Sequence, residues 1–169
     1  MKKMDHEGLR LCKFQAELFQ NSIEEAECSS KVFIRRFMHS YFVRRMDGSG
    51  FLYESTSISD AFDEIKNQYG SSDYGQEKFG REELYWMGYI YRYWSYITGS
   101  SSKQIYRIVK PEELKKMYYP YHSLDPEQVI DRIKESKGIV PCDDIQRGVE
   151  VLRRIRQKYK LKNEQENEK

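Results

Sequence analysis

The chain has 169 residues, enough for one domain with a proper core, or one domain with a small appendage. Its 29 basic and 27 acidic residues leave a net charge of +2, which excludes a general attraction to polyanions but allows a local patch. Hydrophobic residues make up 38% and charged ones 33%, and no apolar run approaches the roughly 18 residues of a membrane span, so no membrane-spanning helix is expected.

The opening "MKKMDHEGLRLCKF" begins with a basic pair but carries no long apolar stretch, so no secretory leader is expected. Leu9, Cys12, Ala16 and Phe19 then recur at helical spacing, with Leu11, Phe14 and Leu18 widening the stripe. They predict a helix from about Asp5 to Asn21. A second helix follows in "SSKVFIRRFMHSYFVRRMDGSG", capped by Ser29 or Ser30 and stopped by Gly48 and Gly50. Phe33, Phe37 and Tyr41 run down one face of it. Phe51 to Glu54 alternate like a short extended piece. Ser57 or Ser59 starts a helix that ends at Gly70. Residues 70–80 hold three glycines and form the clearest internal loop, a place for a hinge.

Helices are next expected over 81–98, ending at Gly99, over 101–109, and over 112–119, with Pro111 in the first turn and Pro120 forcing the end. Asp125 caps another helix, with Pro126 at its first position and Gly138 as its stop. A last helix carries Ile145, Val149, Leu152, Ile155 and Tyr159, then runs into a polar tail. The fold expected is all-α: a single compact bundle of about seven short helices around a central aromatic helix. The domain spans 1–138, followed by a C-terminal helix and frayed tail over 139–169.

That central helix raises the functional question, because seven of the twelve residues from Tyr85 to Tyr96 are aromatic. On a wheel of about 100° per residue, Trp86, Ile90, Tyr93, Trp94 and Ile97 fall on an apolar arc suited to a core. Tyr85, Tyr89, Arg92 and Tyr96 form a second stripe. Tyr and Arg are enriched where protein interfaces concentrate binding energy. Either a second layer of helices covers this stripe or a partner does. Tyr119, Tyr121 and His122 in "YYPYHSLDP" offer the same choice: a turn whose rings seal the core, or a binding surface.

The histidines, His6, His39 and His122, have no metal-ligand spacing, and no phosphate loop or nucleophile elbow is present. Neither an enzyme nor a cofactor is therefore expected. The cysteines Cys12, Cys28 and Cys142 are odd in number and unpatterned, which fits a reducing cytoplasm. Glu24, Glu25 and Glu27, Asp143 and Asp144, and the basic run from Arg153 to Lys162 read as solvated surface or helix-end charge. The pairs Arg35–Arg36 and Arg44–Arg45 are candidates for phosphate contact.

"SSKVFIRRFMHS", the aromatic helix with "SSKQIY", and "YHSLDP" together resemble a small family of bacterial proteins over residues 9–137. Members are encoded beside toxin-like genes, including ADP-ribosyltransferase-like ones, and are regarded as antitoxins. The resemblance implies binding to a cognate toxin protein. It carries no catalytic motif and does not reach 140–169. Homo-oligomerisation is a further option, and no membrane partner is expected. The alternative is a helix-turn-helix DNA-binding regulator using 101–119, with Lys115 and Lys116 exposed; Glu112 and Glu113 would then face the phosphates.

Overall fold

A computed structural model describes residues 2–48, 50–51 and 55–139, and among these every regular element is a helix. They are α1 (His6–Glu25), α2 (Ser30–His39), α3 (Tyr41–Asp47), α4 (Ile58–Tyr69), α5 (Arg81–Thr98), α6 (Ser102–Ile108), α7 (Pro111–Tyr121) and α8 (Pro126–Ser136). The all-α expectation holds, and the aromatic helix is central: α5 packs against α1, α6 and α7. The expected helix beyond residue 139 lies outside the described residues, as do Tyr53, Cys142, Asp143 and Asp144 and the basic run. The chain divides inside α8 into a unit over 1–131 and another over 132–169. In the second unit the described residues are the end of α8 and the turn after it, where Gly138 has φ +66°.

Local chemistry sets most boundaries. Asp5 caps α1 by accepting from the Gly8 amide. Ser57 and Asp60 exchange bonds in a capping box that starts α4. Pro111 starts α7, where a missing amide costs nothing. Gly99 ends α5 with φ +69°, a left-handed conformation natural to glycine.

Five sequence expectations need correction. The single helix expected to run on to Gly48 is two, broken at Ser40. That hydroxyl donates to the Phe37 carbonyl and accepts from the Val43 amide, so one side chain ends α2 and starts α3. The break turns Tyr41 outward, and it is 64% exposed rather than continuing the Phe33–Phe37 face. Leu9, assigned to the stripe of α1, is 46% exposed, while Gln15 is buried. Helix α1 runs on to Glu25 instead of Asn21. The Lys78 ammonium binds the Ser22 and Ala26 carbonyls there, satisfying the helix end from a distant loop. Finally, Pro120 does not stop α7. It sits in the last turn, and the His122 amide still reaches the Tyr118 carbonyl.

The core follows from these placements. Phe19 meets Phe33, Phe37 and Tyr91 edge-on, and Phe51 packs against Phe14 and Phe42. Edge-on pairs suit the quadrupoles of aromatic rings. Residues 70–80 have no regular structure but are tied down. The Ser29 and Ser30 amides donate to the Tyr74 and Glu77 carbonyls, the Phe79 amide donates to the Ser30 hydroxyl, and Phe79 is buried. Both sides of this loop belong to the same unit.

Candidate partner-binding site

Helices α1 and α5 make the most extensive helix pair in the structure. They run antiparallel, with Gly8 against Tyr96 and Gly88 against Ala16. A Cβ on Gly88 would stand 2.6 Å from the Gln15 carbonyl oxygen and 2.9 Å from Ala16 Cα. The absence of a side chain at position 88 is what lets the backbones approach. Cys12 lies in this seam, fully buried, and burial pushes its thiol up to about 12 against the opposing pull of the Arg92 charge.

Arg92, expected on the partner-facing stripe, is 1% exposed. Its Nε donates to Gln15 Oε1 at 2.8 Å, and Nη1 donates to Asp47 Oδ1 at 2.8 Å and to the Met46 carbonyl at 3.2 Å. Its Nη2 donates to Ser102 Oγ at 3.1 Å. Asp47 also accepts from the Ser102 amide and from the hydroxyls of Ser95 and Ser102. Burial lowers the pKa of Arg92, and the charge of Asp47 opposes that loss. The guanidinium thus ties α1, α3, α5 and α6 together and is unavailable to a partner. The physical reason is that a buried charge must be paired, and all its acceptors come from other elements.

The other stripe residues stay at the surface. Tyr85 is half-buried, and Tyr89 stacks on Tyr93 at 6.1 Å between centroids. Tyr96 is engaged within the chain: its hydroxyl donates to Asp5 Oδ1 at 2.6 Å and also bonds the Lys2 ammonium. That hydroxyl, the Gly8 amide and Lys2 hold the Asp5 carboxyl down at about 2. The Lys2 amide donates to the Ile97 carbonyl, so the N-terminal residues are strapped over the end of α5. The assigned core positions Ile90, Tyr93, Trp94 and Ile97 are buried, but Trp86 is only half-buried.

Trp86 instead meets the end of α7. Its ring packs edge-on against Tyr118 at 5.7 Å, Tyr118 packs edge-on against Tyr119 at 5.4 Å, and His122 stacks on Tyr118 at 5.1 Å. The His122 ring is steered by Nδ1, which bonds the Tyr118 and Tyr119 carbonyls. Tyr119 is 77% exposed, so its ring does not seal the core, whereas Tyr118 is half-buried. Tyr121 is half-buried. The structure therefore brings Tyr119 and His122 together, with Tyr118 and Trp86 as their support. Sequence reasoning grouped Tyr118 with these rings but assigned Trp86 to the core, because an edge contact between helices has no signature in spacing.

On α7, Glu112 pairs with Lys31, and the Glu113 carboxylate accepts from the Lys110 amide. Lys115 pairs with Glu77 at 3.1 Å and lies over the Phe79 ring. No described helix is long and apolar enough to cross a membrane. Comparison with protein-family models, curated proteins and solved structures gives no match.

Proposed function

We propose that this protein acts by binding another protein, as the antitoxin of a toxin–antitoxin pair. The observation that carries the reading is the ring cluster at the end of α7, where Tyr119 and His122 stand exposed on a base of Tyr118 and Trp86. Tyrosines supply large contact area with few rotamers to freeze and a hydroxyl for the rim of an interface. Packing from below fixes their orientation before a partner arrives, which lowers the entropy cost of association. The half-buried Tyr85 and Tyr89 on α5 extend the set of candidate contacts, whereas Arg92 and Tyr96 leave it. The helix-turn-helix alternative fits less well, since Lys115 is engaged by Glu77 and the first turn of α7 is acidic.

The test is co-expression with the product of the adjacent gene, followed by co-purification. A stable complex is expected, with toxicity suppressed. Changing Tyr119 and His122 to Ala together should weaken the complex at least tenfold, about 1.4 kcal/mol or more, without altering the melt. No complex with that product would sink the antitoxin reading. A complex of unchanged affinity would move the interface elsewhere.

A further inference from the structure

A second surface, formed by α2, the end of α4 and the segment after α4, has a different chemistry. A groove of about 440 Å³ is lined by Arg35, Arg36, His39, Tyr69, Ser72 and Tyr74 among others. That size falls within the roughly 300–1,000 Å³ of small-ligand sites. Arg36 donates to the Gly70 carbonyl and lies 5.7 Å over the Tyr69 ring, which fixes one wall. Burial raises the pKa of the Tyr69 hydroxyl, while the charges of Arg44, Arg36 and Arg35 pull it down.

None of these three arginines makes an ion pair with a carboxylate of the described residues. The neighbouring cleft, on the other side of Arg36, is the acidic one, with Glu25, Glu27 and Asp63. Tyr74 is 76% exposed, yet its backbone is anchored, its carbonyl accepting from the Ser29 amide. An exposed ring on a fixed backbone beside unpaired guanidinium groups matches a ligand that is both anionic and planar.

We propose that this groove binds a nucleotide, its phosphate on Arg35 and Arg36 and its base against Tyr74 and Tyr69. Guanidinium groups hold phosphate through paired N–H donors, and aromatic rings accept any base by stacking. An acidic peptide would satisfy the arginines but leave Tyr74 without a role. The site is independent of the ring cluster on α7, so either proposal can fail alone.

The experiment is fluorescence anisotropy on the whole protein with a labelled single-stranded oligonucleotide of about eight nucleotides, within the range that single-strand grooves cover. AMP, inorganic phosphate and a polyglutamate peptide serve as competitors. Binding that weakens as salt rises is expected, with AMP displacing the strand better than phosphate or polyglutamate does. Arg35→Ala, and separately Tyr74→Ala, should each weaken binding about tenfold with the helical circular dichroism unchanged. A strand affinity well above that of AMP identifies a nucleic-acid strand as the source. Equal affinities identify a free nucleotide. The proposal is overturned if the intact protein binds neither, if the variants bind as well as the parent, or if polyglutamate competes as well as AMP.

Discussion

Arg92 shows how far a side chain's role depends on residues distant in sequence. On a wheel it lies among tyrosines and looks like an interface residue. In the fold it is a buried cation whose carboxylate, Asp47, lies 45 positions away. Nothing periodic marks that pairing, so no reading of spacing finds it. Replacing Arg92 by Met strands Asp47 and Gln15 at once. Breaking one half of a buried pair costs about 3–5 kcal/mol. Asp47 retains 15% exposure, so water offsets part of the loss and the lower end of that range is expected. A urea titration of Arg92→Met should read about 3 kcal/mol, and adding Asp47→Ala should restore some of it. A cost below about 1 kcal/mol for the single change would show that the network contributes little.

At the scale of elements, the contact of α1 with α5 turns on Gly88. Glycine within a helix is worse than alanine by about 1 kcal/mol, so an exposed site would gain from Gly88→Ala. Here the added methyl meets the Gln15 carbonyl and the Ala16 backbone at under 3.0 Å. Backbone cannot move aside as a side-chain tip can, and overpacking costs about 1–3 kcal/mol. Gly88→Ala is therefore expected to destabilise, by up to about 2 kcal/mol in the same titration. A more stable variant would mean that the helices do not approach so closely. Helix starts were mostly legible in the sequence: Ser57 and Ser101 cap through groups three residues away, and Pro111 and Pro126 stand at first helical positions, where their missing amide costs nothing. Ser40 was not, because a serine can sit quietly in a helix or break one. The extension of α1 was not either, since its cap comes from Lys78.

For the molecule as a whole, the question is whether residues 70–80 divide it. A run with three glycines suggests a hinge, but glycine content says nothing about bonds made to other segments. Here Ser29 and Ser30 receive the loop and Phe79 is buried behind it. Residues 1–131 should then unfold as one cooperative step. Tryptophan fluorescence reports on α5 through Trp86 and Trp94, and circular dichroism reports on all helices. The two melting curves should coincide. Separate midpoints would show that the helices before the loop and those after it open independently. The candidate sites were legible in part. Tyr119 and His122 stood out as ring-rich sequence, but the arginine–tyrosine groove gathers Arg35 and Arg36 from α2, Tyr69 from α4 and Tyr74 from the segment after it, and only folding brings these together.

The network around Arg92 also constrains how the sequence can change over generations. Gln15, Asp47, Ser102 and Arg92 each answer a demand set by the others. A lineage that lost Asp47 alone would carry an uncompensated cation, and one that lost Arg92 alone an uncompensated anion. Every single-step path out therefore crosses a poorly folded ancestor. Natural variants of this chain should exchange the four positions as a set, replacing them together with apolar groups of matching volume, or keep them all.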